Sequence, residues 1–190
     1  MTAGRRVICG AASGLPDEFV RRLWHYRHRV FVERLGWPLP CEQGYEHDRF
    51  DRDDTVYVAI EDEQQAIAGC VRLLPTTQPY LLGEVFPQLL HGAPPPRDPR
   101  VWELSRFAAM DLTRPGAGTL AQFSSSTTAE LMREAMRCAA RLGAERLITV
   151  SPLGIERLVR RLKIKARRAG PPLELEGQPM FACWIELPDG

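Results

Sequence analysis

Two opposite charges interrupt the apolar segment VWELSRFAAM at residues 101–110, where Glu103 and Arg106 lie three residues apart. The segment predicts a β-strand, and an unpaired charge buried in a strand costs free energy that a partner must offset. Chemically, a carboxylate can accept a proton as a general base, and a guanidinium can bind a carboxylate through two hydrogen bonds. The two residues therefore either belong to a binding or reaction site, or are unrelated surface charges on an edge strand.

Strand alternation limits how Glu103 and Arg106 can be arranged. It places Arg106 on the same face as Leu104, and Glu103 on the opposite face with Ser105. A direct ion pair therefore requires the strand to bulge or to end between the two charges. Otherwise one of them faces a cleft while the other meets a separate acidic segment.

An acid-rich loop precedes the central strands, between residues 38 and 54. Its carboxylates include Glu46, Asp48, Asp51, Asp53 and Asp54. A charge run of this kind is typical of a solvated surface, and its spacing lacks the glycine and terminal glutamate of an EF-hand loop. Alternatively, some of these carboxylates bind a cationic ligand, such as an amine or a sulfonium.

Two arginines lie in apolar surroundings. Arg72 lies between Val71 and Leu73 in the strand GCVRLLP, which predicts a carboxylate partner because arginine is almost never fully buried unless it is paired. Arg27 lies close to the apolar face of the first helix, where an arginine most often extends its charged end into solvent.

A basic segment follows the predicted strand RLITVS. It contains Arg157, Arg160, Arg161, Lys163, Lys165, Arg167 and Arg168. Either these side chains form a solvated helix face, or they form a docking surface for an acidic partner, where complementary charge raises the association rate.

The composition predicts a globular protein with a single domain, residues 1–190. Its 44% hydrophobic and 26% charged residues are ordinary, and a net charge of +1 argues against nucleic-acid binding through overall charge. The five cysteines show no C-x-x-C spacing, so we expect reduced thiols rather than a zinc site or a disulfide framework. No window has the roughly 18 apolar residues of a membrane span, and the N-terminal residues lack the apolar stretch of a signal peptide. We therefore expect a cytoplasmic protein with no membrane partner.

Helices and strands alternate along the chain. Strands are predicted at residues 5–11, 101–110, 146–151 and 180–187, with a pair around a polar turn within 55–76. Helices are predicted at residues 15–37 and 127–143 and from residue 154 onward. In the first helix Phe19, Leu23, Tyr26 and Val30 recur at helical spacing, and Gly36 ends it. The alternation indicates an α/β or α+β arrangement around one central sheet.

Five motifs occur together in one order: RHRVFVERLGW, EHDRFD, VRLLPTTQPYLL, FPQLL and WELSRFA. In this order and spacing the chain resembles the acyl-homoserine-lactone synthases, the autoinducer synthases of bacterial quorum sensing. The resemblance is strong from about residue 27 to residue 110 and looser from there to the C-terminus. It implies an N-acetyltransferase-like three-layer sandwich, with a central twisted mixed sheet and a cleft for the acyl thioester.

The resemblance also implies the reaction and its residues. S-adenosylmethionine is acylated by a thioester of acyl carrier protein or coenzyme A and then forms a lactone with release of methylthioadenosine, without a separate cofactor or metal. The S-adenosylmethionine site maps onto Arg27, Phe31, Trp37, Asp48, Asp51 and Arg72. We expect catalysis to use Glu103 as a base, an arginine such as Arg106 or Arg27 to hold the substrate carboxylate, and backbone amides near Ser105 to stabilise the oxyanion.

The acyl chain requires an apolar slot. Candidate residues for it are Phe86, Trp102, Phe107, Met110, Phe123, Thr149 and Ser151. In the family a threonine on the strand that matches ITVS relates to recognition of 3-oxo chains, and either Thr149 or Ser151 can occupy that position. The resemblance also favours a docking surface for acidic acyl carrier protein, formed by Arg157, Arg160, Arg161 and Lys163.

Two other functions fit parts of the sequence. A general acyl-coenzyme A N-acyltransferase would share the fold but acylate another amine, and the glycine-rich pyrophosphate loop typical of that class is only faintly suggested by RPGAGT at residues 114–119. A non-catalytic sensor of a small acyl ligand would bind without turnover. Consumption of S-adenosylmethionine distinguishes the first alternative, and loss of function in Glu103→Gln distinguishes the second.

Overall fold

The computed structural model describes residues 5–110, 112, 126–175 and 177–188. The chain forms two compact units. The first contains the residues up to Arg72 and those from Arg106 to Ala135, and the second contains Leu73–Ser105 and the residues from Met136 onward. The prediction of a single domain for residues 1–190 stays a prediction.

Between Arg6 and Pro75 the described chain has two longer helical segments and five strands. They are β1 (Arg6–Ala11), α1 (Asp17–Arg27), a π-helical segment (His28–Arg34), β2 (Cys41–Glu42), β3 (Tyr45–Glu46), β4 (Val56–Glu61) and β5 (Ile67–Pro75). Short 3-10 turns lie at Ala12–Gly14 and Pro87–Leu90. The polar loop predicted between residues 38 and 54 therefore contains a small hairpin, β2–β3, which its acid-rich sequence does not predict.

The remaining described elements alternate between helix and strand as far as the fourth helix and end in three consecutive strands. They are α2 (Leu81–Val85), β6 (Val101–Ala108), α3 (Ser126–Arg141), β7 (Arg146–Pro152), α4 (Gly154–Arg161), β8 (Ala166–Arg168), β9 (Leu173–Leu175) and β10 (Gln178–Glu186). The basic helix is shorter than its sequence suggests, because Ala166–Arg168 is a strand that pairs with β10.

Eight of the described strands form one mixed sheet in the order β1-β4-β5-β6-β7-β10-β8, with β9 also paired to β10. Strands β1 and β4 are antiparallel with Arg6 opposite Glu61, and β7 and β10 are antiparallel with Ser151 opposite Phe181. Strands β6 and β7 are parallel, with Val101 opposite Arg146. The predicted α/β class with a central mixed sheet is confirmed.

The apolar face of α1 supplies the core of the first unit. Phe19, Leu23 and Tyr26 recur at helical spacing and are buried against Tyr57 and Ala59 of β4. Asp17 and Glu18 lie in the first turn, where the helix dipole favours negative charge. Apolar burial on this face therefore fixes the direction in which the C-terminal end of α1 points.

The continuation of α1 is the π-helical segment, a geometry that is common at functional sites. As predicted, Gly36 follows its end with a left-handed φ of 68°, a conformation that glycine adopts without steric cost. The turn allows the Trp37 N–H to donate to the Phe31 carbonyl at 2.9 Å.

The cysteines depart from expectation. Cys41, Cys70 and Cys183 are free thiols, but Cys9 and Cys138 are both disulfide-bonded, so the prediction of five reduced thiols was wrong. Scattered single cysteines carry no local signal of pairing, because a disulfide requires proximity in space rather than in sequence. Among the residues that the structure describes, no helix is both long and apolar enough to cross a membrane.

Candidate active site

The first unit contains a charged network of three arginines and three carboxylates: Arg27, Glu46, Asp48, Asp51, Arg72 and Arg106. Each arginine comes from a different element, because Arg27 ends α1, Arg72 lies on β5 and Arg106 lies on β6. The carboxylates come from β3 and the residues that follow it. Three positive and three negative groups balance, so the network as a whole is neutral.

The loop that carries the carboxylates is organised by its own hydrogen bonds. The Phe50 N–H donates to Asp48 Oδ1 at 2.8 Å, and the Asp51 N–H donates to the Asp48 carbonyl at 2.9 Å. The Thr55 hydroxyl accepts the Arg52 N–H at 2.9 Å and donates to the Phe50 carbonyl at 2.7 Å. Short polar side chains commonly form such turns, and here they hold two acids toward the arginines.

Arg27 lies at the buried centre of the network. Its Nε donates to Glu46 Oε2 at 2.6 Å, and its Nη1 and Nη2 donate to the two Asp51 oxygens at 2.7 and 3.0 Å. Burial disfavours its charged form, but Asp51 and Glu46 outweigh that effect and the pKa of Arg27 lies well above its ordinary value. The general expectation that Arg27 extends into solvent is wrong.

Asp51 is the most heavily shared acid. Besides Arg27, it faces Arg72 Nη1 at 3.1 Å and accepts the Tyr57 hydroxyl at 2.8 Å. Burial would raise the pKa of Asp51, yet Arg27 and Arg72 hold it well below its ordinary range. The buried carboxylate is therefore fully ionised at neutral pH.

Arg72 and Arg106 each contact Asp48, which links the two strands to the loop. Arg72 Nη1 donates to Asp48 Oδ1 at 2.6 Å, and Arg106 Nη2 donates to Asp48 Oδ2 at 2.9 Å. The carboxylate partner predicted for Arg72 is confirmed.

The backbone at Arg106 has φ of 52°, a left-handed conformation that is rare for a residue with a side chain. This interrupts the regular extended geometry of β6 at Arg106. Arg106 Nε then lies 3.1 Å from Glu46 Oε1, and its Nη2 lies 2.9 Å from the same oxygen. The prediction that one of the two strand charges meets the acidic segment is confirmed for Arg106.

The network opens toward solvent at one end. The side chains of Asp48 and Arg106 are 16% and 7% exposed, whereas the other four are at most 1% exposed. A ligand can therefore reach Asp48 and Arg106 directly, and the remaining four groups support them from behind.

An aromatic pair lies beside this open end. The rings of Phe31 and Trp37 stack with centroids 4.9 Å apart, and the Arg106 guanidinium lies 5.8 Å from the centre of the Phe31 ring. Phe31 is buried and Trp37 is partly buried. Stacked aromatic faces next to carboxylates suit a flat heterocycle or a cation, since both interact favourably with aromatic rings.

Glu103 lies in the second unit and has a different environment. It is fully buried, and its two oxygens accept the N–H groups of Leu81 and Leu82 at 3.0 and 2.6 Å, at the start of α2. Ser105 is also buried in β6. These two hydrogen bonds tie Glu103 to the chain that leads into α2.

Comparison with known proteins places this site in a family. The model of the family described as autoinducer synthase matches residues 13–189. The chain belongs to the autoinducer synthase family. An acyl-homoserine-lactone synthase from Acinetobacter nosocomialis is 48% identical over 181 residues, which cover 95% of this chain and 99% of that protein.

Solved structures of autoinducer synthases agree with this assignment. TofI in a ternary complex with an inhibitor and MTA is 45% identical, with a TM-score of 0.82 over 96% of this chain and 91% of that one. BjaI, a CoA-dependent acyl-homoserine lactone synthase, was solved with SAM and isopentyl-CoA; it is 25% identical, with a TM-score of 0.85 over 97% and 84% of the two chains. The chain is thus an acyltransferase of quorum-sensing signal synthesis.

The N-acetyltransferase-like fold is confirmed by a more distant likeness. A putative N-acetyltransferase from Lactobacillus plantarum is 16% identical and has a TM-score of 0.62 over 97% of this chain and 99% of that one. At this identity the likeness concerns the fold alone.

The predicted acyl-slot residues of this autoinducer synthase fall in different places. Thr149 and Ser151 are buried on β7, with their hydroxyl oxygens 3.2 Å apart. Phe86 and Trp102 are half-buried in the same unit, and the Trp102 indole donates to the Pro99 carbonyl at 3.2 Å. The remaining three are half-buried Phe107 and buried Met110 in the first unit, and Phe123, which lies outside the described residues.

Met110 belongs to the core cluster of the first unit. Its backbone N–H donates to the Tyr26 hydroxyl at 2.9 Å, and that hydroxyl donates to the Met110 carbonyl at 3.0 Å. These contacts give Met110 a structural role, whatever its part in acyl binding.

The predicted docking residues of the autoinducer synthase are all exposed. Arg157, Arg160 and Arg161 lie on α4, and Lys163 follows its end with φ of 56°. Nearby, Arg168 forms a two-bond ion pair with Glu156, at 2.5 and 2.8 Å. Arg168 is therefore paired within the fold, whereas the four predicted residues are exposed on and just after α4.

Three residues of the network and its surroundings were missed by sequence reasoning. Glu46 was noticed as part of the acidic loop but was not selected, although it bridges Arg27 and Arg106. Tyr57 and Trp24 read as ordinary core residues, yet the Trp24 indole donates to the Tyr57 hydroxyl at 3.3 Å and Tyr57 in turn donates to Asp51. The spacing E-x-D-x-x-D from Glu46 to Asp51 was the available signal for Glu46.

Proposed function

We propose that this autoinducer synthase binds S-adenosylmethionine at the open end of the charged network and acylates its amine with a thioester. The observation that carries this proposal is the juxtaposition of Asp48, Arg106 and the Phe31–Trp37 stack in one neutral network. S-adenosylmethionine carries an amine, a carboxylate, a sulfonium and an adenine ring, and this set of groups offers a counterpart to each.

The side chains at the open end bind different groups of the substrate. Asp48 attracts the ammonium or the sulfonium, and Arg106 binds the carboxylate through charge-assisted hydrogen bonds. Phe31 and Trp37 cover the adenine or the sulfonium by stacking and cation–π contact. Because the network is neutral before the substrate arrives, the empty site holds no unbalanced buried charge.

Acyl transfer then requires a deprotonated amine and a stabilised oxyanion. The carboxylate of Glu103, whose two oxygens accept the N–H groups of Leu81 and Leu82, is the proposed acceptor of the amine proton, directly or through a water. Backbone amides of residues 105–107 are the proposed oxyanion donors. The amine nitrogen bonds to the thioester carbon, and the thiol of the carrier leaves with a proton.

Lactone formation follows from orientation. The substrate carboxylate attacks the carbon that bears the sulfonium, the carbon–sulfur bond breaks, and methylthioadenosine leaves with the electron pair. The products are the N-acyl-homoserine lactone, methylthioadenosine and the free thiol carrier.

The second unit supplies the proposed acyl and carrier determinants. Thr149 and Ser151 place two hydroxyl groups among the apolar residues of β7, which favours a role in recognising an oxygen at position 3 of the acyl chain. The exposed basic surface of Arg157, Arg160, Arg161 and Lys163 favours an acidic carrier protein as acyl donor, with acyl-coenzyme A as the alternative.

The test is product analysis by mass spectrometry. Purified protein is incubated with S-adenosylmethionine and acyl thioesters of increasing chain length, with and without a 3-oxo group, on both coenzyme A and acyl carrier protein. We expect an N-acyl-homoserine lactone and methylthioadenosine in equal amounts. Thiol release without either product would instead indicate an N-acyltransferase that uses another amine.

A further inference from the structure

Arg106 uses only part of its hydrogen-bonding capacity within the protein. Its Nε contacts both oxygens of Glu46 at 3.1 and 3.2 Å, and its Nη2 contacts Glu46 and Asp48, each at 2.9 Å. A guanidinium has five N–H donors in a rigid plane. Among the described residues none accepts a hydrogen bond from Nη1, so this edge of the plane is available to a ligand.

Glu46 determines which edge of the Arg106 guanidinium has no hydrogen-bond acceptor among the described residues. It occupies the Nε–Nη2 side of the guanidinium and is itself held from behind by Arg27 Nε at 2.6 Å. The Glu46 side chain is 1% exposed, so water does not compete for these bonds. Burial would raise the pKa of Glu46, but Arg27 and Arg106 lower it, and the carboxylate stays charged at neutral pH.

The left-handed backbone of Arg106 depends on the same contacts. A positive φ at a residue with a side chain persists where surrounding interactions fix it. The Cys70 thiol lies 3.6 Å from the Arg106 carbonyl and is fully buried, which holds the backbone, while Glu46 holds the far end of the side chain.

From this arrangement we propose that Glu46 is a positioning residue that turns the Nη1 edge of Arg106 toward the carboxylate of the amino-acid substrate. The inference rests on the proposed function, because it takes S-adenosylmethionine as that substrate. Glu46 itself touches no substrate in this proposal. It acts by occupying the Nε–Nη2 side of the Arg106 guanidinium, so that the substrate meets the Nη1 edge.

The proposal predicts an effect on substrate preference that a purely structural role of Glu46 does not predict. Decarboxylated S-adenosylmethionine keeps the amine, the sulfonium and the adenine but lacks the carboxylate that Arg106 would bind. Binding of both compounds is measured by calorimetry on the wild type and on Glu46→Gln. We expect the wild type to prefer S-adenosylmethionine at least tenfold, and Glu46→Gln to lose most of this preference while it still binds the decarboxylated compound.

Two further variants control for misfolding. Glu61→Gln alters another buried glutamate, which pairs with Arg22 at 2.8 Å outside the network, and we expect it to keep the wild-type preference. Arg106→Lys keeps the charge but has no planar Nη1 edge, and we expect it to lose the preference as Glu46→Gln does. Where Glu46→Gln does not fold, a retained preference in Arg106→Lys would still overturn the inference, because the Nη1 edge would then not be what meets the carboxylate.

The outcomes separate the inference from the function on which it rests. If the wild type binds no S-adenosylmethionine, the proposed function fails and the inference fails with it. Suppose instead that the wild type binds S-adenosylmethionine and prefers it to the decarboxylated compound. If Glu46→Gln then weakens the binding of both compounds by the same factor, only the positioning role is overturned. Loss of the preference in Glu61→Gln would overturn it as well.

Discussion

The guanidinium of Arg27 and the carboxylate of Asp51 meet side by side in the core of the first unit, through two hydrogen bonds of 2.7 and 3.0 Å. Both side chains are at most 1% exposed. A pair of this geometry offsets much of the cost of removing two charges from water, but each charge depends on the other. Arg27 and Asp51 therefore stabilise the site only as a pair, since removing either side chain leaves the charge of the other incompletely neutralised in the core.

We expect Asp51→Asn to destabilise the protein strongly. The substitution leaves Arg27 with one carboxylate, Glu46, and disrupts the bond from Tyr57, so the free energy of unfolding should fall by about 3–5 kcal/mol. The matched control is Asp54→Asn in the same loop, whose side chain is 47% exposed beside Arg52 and should cost about 0–1 kcal/mol. Urea unfolding measures both, and similar losses in the two variants would contradict the account of the network.

Acid should weaken the first unit through the same carboxylates. The pKa values of Asp51 and Glu46 are lower in the folded protein than in the unfolded chain, so below the ordinary values of 3.8 and 4.5 the unfolded chain binds more protons. The stability they contribute is fully present above about pH 5 and is lost as the pH falls through the folded pKa values. We expect a nearly constant contribution from these groups between pH 6 and pH 8, and a decline below pH 4.

The Asp51→Asn variant tests the origin of this acid sensitivity. Without that carboxylate, the loss of unfolding free energy between pH 5 and pH 3 should be smaller than in the wild type by about 1 kcal/mol. Urea unfolding at several pH values measures the difference. An unchanged pH dependence in the variant would show that other groups are responsible.

Much of the fold was predictable because the first helix and the strands carry strong periodic signals. Phe19, Leu23 and Tyr26 marked the buried face of α1, and the apolar run around Arg72 marked a buried strand. The charge at Arg72 was informative for the same reason, since a buried arginine requires a partner. Sequence periodicity thus identified the elements and one end of an ion pair.

The arrangement of the network was less predictable. The burial of Arg27 depends on two carboxylates, Glu46 and Asp51, which lie 19 and 24 residues away along the chain, a relationship with no local signature. The left-handed backbone of Arg106 breaks the alternation on which strand predictions depend. Glu46 escaped selection because a charge run in a polar loop reads as solvated surface, and only the fold shows that this part of the loop is buried.

Removing Trp37 should chiefly weaken the use of S-adenosylmethionine. Trp37 stacks on Phe31 at 4.9 Å and is only partly buried, so Trp37→Ala removes a ligand-facing aromatic surface while most of the core stays intact. We expect the KM for S-adenosylmethionine to rise at least tenfold, with a smaller change in the KM for the acyl thioester. Steady-state kinetics with each substrate varied in turn measures the two values, and an equal rise in both would argue against this assignment.

Glu103→Gln separates a catalytic role from a structural one. Gln keeps one acceptor oxygen but replaces the other by an NH2 donor facing a backbone N–H, so either Leu81 or Leu82 loses its partner. We expect a loss of stability of about 1–3 kcal/mol together with a fall in kcat of at least a hundredfold, as proposed for a base. Turnover is measured on the folded fraction at low temperature, and a kcat within tenfold of the wild type would leave Glu103 with the structural role alone.

Charge reversal on α4 should weaken the interaction with the carrier protein and leave the chemical step unchanged. Arg157→Glu together with Arg160→Glu places negative charge on an exposed surface, so kcat/KM with a carrier-protein thioester should fall at least tenfold at low ionic strength. The effect should shrink as salt screens the interaction, and the short-chain thioester of a small uncharged thiol should react unchanged. Arg100→Glu, at a side chain that is 60% exposed, is the control for a general change of charge. An equal loss in that control, or an equal loss with the uncharged thioester, would mean that α4 is not the surface that meets the carrier.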